Sequence, residues 1–592
     1  MQIYQQIRVP HLQVSIVNSL SSSVALDPEP LRAHYVRFSH YRLRKVKCDE
    51  GFPVCLRCQT AGRVCEGYGI WGGGNGVHEE RQPPAGSGTG SPASTTTLAT
   101  RPAAGLALWL SSSDEREHLD WFRYRTATKL PGSFRSGFWS ILLLQAGFSE
   151  PAVLHAIIAL SSVQKGGILQ IKPQNEGRAV PDEQERFILR HYVKAIRSLH
   201  PHFQARDQAA FRVALISCIV FVSLDFLRGH FTTGLVHLQN GLRLLEEAQE
   251  ILTSTREPFC LHPGRESVND WIIETFTRLH LQVQLFRQPH HQPCFLFDPV
   301  FSSAPVRSFH SLKAAWHELD WLFNAIFHLS RQAHVCERAK TSSQPLYDHR
   351  HGVEIGLLRW LRAYEVFMET LPDDLSLEEQ RGYRIIGVYH TLATIMVAVC
   401  LCPGDEEAFD AHTDLFIHLL SQLEEIRALA EEVFVAPPGH LIYMAGSIVD
   451  MGCLAPLYYT AIKCRVHHVR LKAIRQLEST FHREGIWDAK ITARVARKVV
   501  KIEERGFYDG TCVPDVAMAD KSLSVIDLCE QEHSMPRLPG SYRLRDAEMV
   551  LAGDPTDRVL LYCTLRQGDA DRRVPIAQYH LASQRWVDLV GP

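Results

Sequence analysis

The chain has 592 residues, of which 45% are apolar and 22% charged, and its formal net charge is -2. That length allows several domains with sizeable cores. The near-zero balance excludes a chain that is basic throughout, so any attraction to nucleic acid has to be local. The longest apolar run, Val213 to Leu224, stops at Asp225 and Arg228. It falls short of the roughly 20 residues a bilayer requires and reads as a buried helix, so no membrane association is expected. The N-terminus lacks a basic region followed by a clean apolar run, so no secretory signal is expected either. Of 15 cysteines, four crowd into residues 48–65 and the others are scattered through apolar, helix-like sequence. Scattered cysteines of that kind are small buried hydrophobes, and a reducing compartment follows.

In chain order, residues 1–30 carry weak patterning and are expected to be unstructured. Residues 31–70 hold eight Lys and Arg against Asp49, Glu50 and Glu66, a local charge of +5. Residues 71–110 contain GGGNG and QPPAGSGTGSPASTTT. Such a segment buries too little apolar surface to fold and reads as a flexible, disordered linker. Helical periodicity fills 111–510. Asp114 with Glu117 has the form of a capping box, and Ser149-Glu150-Pro151 opens a second helix with proline in its first turn. Val153, Ala156, Ile157 and Leu160 then share one face, as do Leu235, Leu238, Leu242 and Leu245. Further helices are expected near 183–199, 208–227, 268–286, 312–332, 353–370, 383–401, 407–433, 440–470 and 488–505. The Pro- and His-rich piece 287–306 is the expected break. Residues 511–592 differ: Val559–Leu565 and Val574–Leu581 flank a polar RQGDADRR segment and predict a hairpin.

Chemistry concentrates at one place, KVKCDEGFPVCLRCQTAGRVCEGYG, with the spacing Cys48-x6-Cys55-x2-Cys58-x6-Cys65. Soft thiolates at such spacing in a reducing cell select zinc. Arg42, Arg44, Lys45 and Lys47 surround the first of them. Alone, a basic run is a solvated face or an import signal. Beside a metal cluster, it reads as a short helix whose cations reach base edges in a major groove.

At these residues the chain resembles the fungal binuclear zinc-cluster family, whose pattern is C-x2-C-x6-C, a loop, then C-x2-C-x6-C, with six thiolates holding two zinc ions. The resemblance assigns Cys48, Cys55, Cys58 and Cys65 to the last four ligands and Pro53 to the loop proline. It implies that Arg44 and Lys45 read bases of CGG-type triplets in double-stranded DNA. Arg42 and Lys47 are placed for phosphate contact. The sequence departs from the family at its first two ligand positions, where Phe38 and Tyr41 stand. His34 and His40 are nearby imidazoles, but neither occupies a family ligand position. The match begins abruptly near Arg42, which gives the expectation that the natural transcript encodes a C-x2-C pair just before it.

The stretches LDWFRYRTATKLPGSFRSGFWSILLLQAGFSEPAVLHAIIALSSVQ and FRVALISCIVFVSLDFLRGHFTTGLVHLQNGLRLL resemble the start of the fungal-specific transcription-factor regulatory domain, over roughly 115–500. The expected fold class is therefore mainly α: a small zinc-cluster module and a large all-α regulatory domain joined by a disordered linker. The expected function is sequence-specific, zinc-dependent DNA binding that regulates RNA polymerase II transcription in the nucleus, with the transcription machinery as partner. No a/d leucine pattern follows the cluster, so monomeric binding and a homodimer through the helical domain both stay open. The alternative is a helical regulatory or interaction protein that has lost zinc-cluster DNA binding.

Other signals were weaker. Gly67-x-Gly69-x-x-Gly72 lacks the flanking strand and helix of a dinucleotide site. His291 with Cys294, His334 with Cys336, and Cys464 with His468 are bare two-ligand pairs. No GxxxxGK[ST] or GxSxG motif occurs, so no enzyme is expected.

Overall fold

The computed structural model describes residues 112–169, 183–205, 208–252, 267–286, 308–339, 341, 344–372, 374–431, 447–480, 482–508, 536–567 and 570–589. All of them belong to the second of two units into which the chain divides, Glu66–Pro592. The expected break at 287–306 lies outside the described residues.

The first group of helices comprises α1 (Ser113–Trp121), α2 (Pro151–Leu169), α3 (Glu183–Leu199), α4 (Gln208–Arg228) and α5 (Phe231–Leu252). The capping box of α1 starts two residues earlier than the sequence suggested. Ser112 is the N-cap, its hydroxyl accepts from the Glu115 amide at 3.2 Å, and the Glu115 carboxylate accepts from the Ser112 amide at 3.3 Å. Glu117 instead meets Lys165 of α2 at 2.6 Å. Helix α2 begins at Pro151, whose missing N–H costs nothing in a first turn. Val153, Ala156, Ile157 and Leu160 are all buried, as is the leucine stripe of α5. Helix α4 has a mean hydropathy of 2.1, long and apolar enough on paper to cross a membrane, but it is wholly buried in the helical unit. An apolar surface on every side is what a helix needs when neighbours cover it all round.

The second group comprises α6 (Val268–Phe286), α7 (Leu312–Ala339), α8 (Gln344–Glu369), α9 (Leu377–Val399) and α10 (Thr413–Glu431). Buried polar atoms fasten it: the Trp360 indole donates to the Ala315 carbonyl at 2.7 Å, and the Tyr389 hydroxyl to the Gly452 carbonyl at 2.9 Å. The single helix expected over 440–470 is not formed. Residues 447–453 run without a helix, α11 (Leu454–Lys463) ends there, Cys464 is extended, and α12 (His467–Glu478) starts afresh. The corner brings Arg465 and Arg470 to one buried carboxylate, Glu503 of α13 (Ala489–Glu504).

Two small β elements were not foreseen in the helical region: β1 (Arg483–Glu484) and β2 (Trp487–Asp488) pair across a turn in which Gly485 has φ 54°. A left-handed residue suits glycine there. In the tail, the predicted pair is formed by β4 (Thr556–Gln567) and β5 (Ala570–His580), which stops one residue before Leu581; the two are antiparallel with Val559 opposite Tyr579. Strands β3 (Glu548–Gly553) and β6 (Arg585–Asp588) extend the pair to a four-stranded sheet in the order β3-β4-β5-β6. The sheet is fixed to the α4–α5 turn, where the Thr556 amide donates to the Gly229 carbonyl at 2.9 Å and His230 meets Asp554 at 2.8 Å.

Two expectations follow. Leu242→Ala, in the buried α5 stripe, should lower unfolding free energy by about 2–5 kcal/mol, read from chemical denaturation. Burial pushes His280 and His390 from the usual 6.5 down to about 4. A depressed imidazole pKa contributes stability that is complete above pH 6.5 and is lost as pH falls through 4. The denaturation midpoint should therefore fall between pH 6.5 and 4, with a shallower slope in His280→Gln and His390→Gln.

Candidate nucleic-acid interface and the interior of the helical unit

The residues expected to hold zinc, Cys48, Cys55, Cys58 and Cys65, and those expected to touch DNA, Arg42, Arg44, Lys45 and Lys47, lie outside the described residues, as do His291 and Cys294. Of the other two-ligand pairs, Cys464 and His468 are not four apart on one helix, because the chain is extended at Cys464. His334 and Cys336 sit on α7, and His334 borders a cavity.

That cavity, about 120 Å³ and partly open, lies between α6, α7, α9 and α11. Phe286, Phe327, Met396 and Tyr458 supply much of its wall, and Glu406 and Lys463 border its polar side. The Tyr458 hydroxyl is buried without a hydrogen-bond partner among the described residues. Cys400 borders it too, and burial pushes its thiol up to about 12, so it stays protonated and unreactive at neutral pH.

The polar side of the cavity belongs to a chain of buried ions. Lys463 reaches Glu406 at 2.7 Å, and Arg465 reaches both Glu406 and Glu503 at 3.0 Å. Arg470 adds a bond to Glu503 at 2.5 Å. Burial alone would raise the Glu406 carboxyl, but Lys463 and Arg465 hold it down at about 2. The polypeptide just before the sheet closes this network. The Leu544 amide donates to Glu503 at 2.9 Å and the Asp546 amide to Glu406 at 3.3 Å. Arg543 grips Asp410 with both terminal nitrogens, at 2.8 and 2.7 Å. Arg545 donates to the Gly404 carbonyl at 3.1 Å, over a turn where φ is 71° and an added Cβ would meet the guanidinium at 2.1 Å. No spacing in the sequence announces these residues, because the partners are brought together from four separate segments.

Residues 41–70 match the family model described as the fungal Zn(2)-Cys(6) binuclear cluster domain. Residues 118–401 match that described as the fungal specific transcription factor domain. The chain is 25% identical over 562 residues to the aspercryptin biosynthesis cluster-specific transcription regulator atnN of Emericella nidulans, covering 78% of this chain and 86% of that one. It is 27% identical over 217 residues to the transcription regulator lscL of Purpureocillium lilacinum, covering 35% of this chain and 48% of that one. No solved structure matches. The first match contains all eight expected zinc and DNA residues. The second ends before the buried ion network, all of whose members lie beyond residue 401.

Removing one partner from a buried ion network leaves charges without compensation. Glu503→Ala, which takes from Arg465 one of its two carboxylates and from Arg470 its nearest one, should destabilise the unit by about 3–5 kcal/mol in denaturant titrations.

Proposed function

We propose that this chain, a zinc-dependent DNA-binding transcription factor of the fungal Zn(2)-Cys(6) type, reads CGG-type duplex sites through Arg44 and Lys45, with Arg42 and Lys47 on phosphates. The observation that carries the reading is the basic run set against closely spaced thiolates within the 41–70 match. Guanine presents O6 and N7 as acceptors in the major groove, which Arg and Lys donors suit. Zinc is structural in the matched domain. Cys48, Cys55, Cys58 and Cys65 supply four thiolates, the number that closes one tetrahedral shell and leaves no position for a reacting water. With Phe38 and Tyr41 at the family's first two ligand positions, Cys55, Cys58 and Cys65 pair on one zinc and Cys48 lacks its family partners.

In this reading residues 31–70 are the DNA-binding module, 71–110 the linker, and 111–510 the regulatory domain, with residues 511–592 attached to it. The protein acts in the nucleus on genes transcribed by RNA polymerase II. The family is one of transcription factors that act with DNA and the transcription machinery, not of enzymes. Where two copies pair, they do so through the helical domain. The cluster-specific role named for the Emericella nidulans relative supports a local set of biosynthetic genes as targets. The two missing cysteines favour a second reading, a helical regulator without sequence-specific DNA binding.

Fluorescence anisotropy of the full chain on CGG-containing and scrambled duplexes separates the two. The expected result is preference for the CGG duplex, abolished by a zinc chelator. Lys45→Ala should cost about 1–3 kcal/mol and relax specificity, whereas Lys47→Ala should weaken binding to all sequences alike and reduce the salt slope by about 1. Salt-sensitive binding without sequence preference would establish the second reading instead.

A further inference from the structure

We propose that Glu115, His155 and His191 form a second metal site, built from nitrogen and oxygen ligands inside the helical unit and suited to a divalent first-row cation such as zinc. The three residues come from α1, α2 and α3, and among the described residues they are the group of three or more metal-ligating side chains whose donor atoms all lie within 4.8 Å of one another. His155 Nδ1 stands 3.2 Å from His191 Nδ1, and His191 Nε2 stands 3.5 Å from Glu115 Oε1. An imidazole gives one ion a single nitrogen, and His191 turns Nδ1 to His155 and Nε2 to Glu115. With one donor atom from each residue the three lie within 4.8 Å, against roughly 3.3 Å around a tetrahedral ion, so binding draws the third ligand in by side-chain rotation.

The surroundings suit ligation. Glu115 and His191 are buried and His155 is half-buried, which leaves an approach from solvent. Burial, with Lys194 adding to it, pushes His155 down to about 4 and His191 to about 3, so both imidazoles are neutral at physiological pH. The Phe187 ring packs 4.5 Å from that of His191. The two oxygens of Glu115 divide their work: Oε2 accepts from the Ser112 amide in the α1 capping box, and Oε1 faces His191. Nitrogen and carboxylate together favour zinc, nickel or copper over magnesium or calcium.

One cation already competes for the site. Lys194 Nζ is 3.2 Å from Glu115 Oε1, and its side chain is 39% exposed. A flexible ammonium at the rim can swing into solvent when an ion takes its place. The same contact therefore supplies a test that a purely structural cluster would not pass. A bound ion would tie α1, α2 and α3 together.

The experiment is a cobalt(II) titration of the full chain, purified without a histidine tag and with zinc already loaded on its cysteine cluster. Expected is one cobalt per chain with visible d–d absorption and no thiolate charge-transfer band. His155→Ala and His191→Ala should lose that cobalt. Glu115→Gln should weaken it, although glutamine keeps a capping box. Lys194→Met should tighten it several-fold. Metal-free thermal melts accompany each variant, and if a histidine variant fails to fold, the Glu115→Gln and Lys194→Met pair decides. Absence of thiolate-free cobalt in the parent chain overturns the proposal. So does binding that is indifferent to all four substitutions, or weakening by Lys194→Met.

Discussion

Arg465 lies between two buried carboxylates, Glu406 and Glu503, and the C-terminal half of the helical unit is arranged so that this is tolerable. Charges out of water are costly unless each lone pair and proton finds a partner. Glu503 is fully buried and accepts from Arg465, Arg470 and the Leu544 amide. Meeting those demands explains the extended corner at Cys464 that ends α11 early. It explains why the turn after α9 carries Glu406 inward. It also explains why the chain ahead of the sheet is drawn across α13, so the tail belongs to the same unit as the helices.

The other half of the unit is organised by apolar burial. Helix α4 has no polar face, and α2, α3, α5 and α6 cover it. Near its start Arg212 donates to Asn269 at 2.8 Å, and at its end Asp225, pushed up to about 7 by burial, accepts from the Tyr192 hydroxyl at 3.3 Å. The sheet docks at the adjoining turn through Asp554 and Thr556. The N-terminal helices and the C-terminal strands are thus joined by a few polar contacts at the edge of an apolar core.

Function and stability are assigned to different parts of the chain. The match to the zinc-cluster family covers a short basic stretch, residues 41–70, where the chemistry depends on residue type and spacing along the sequence. The helical unit offers buried, neutral or ion-paired groups instead: protonated thiols, neutral imidazoles and compensated carboxylates. Such an interior holds a shape and borders a small cavity, which suits the regulatory domain of a transcription factor.

The sequence by itself determined the local features. Hydrophobic periodicity located α3, α4 and α6 nearly to the residue and found the buried stripe of α5, because a 3.6-residue repeat of apolar side chains has to bury one face. Proline placed the start of α2, and alternation placed the β4–β5 pair. Thiolate spacing with its neighbouring cations pointed to zinc and DNA. Ser112-x-x-Glu115 and Asp114-x-x-Glu117 both have the capping-box form, and the structure uses the first. Tertiary structure alone broke the 440–470 segment, because the need to satisfy Glu503 outweighs helical propensity at Cys464. It alone assembled Glu406 with Arg465 and Glu503, and Glu115 with His155 and His191. Residues so far apart in the chain acquire a joint chemistry only when the fold brings them within a few ångströms.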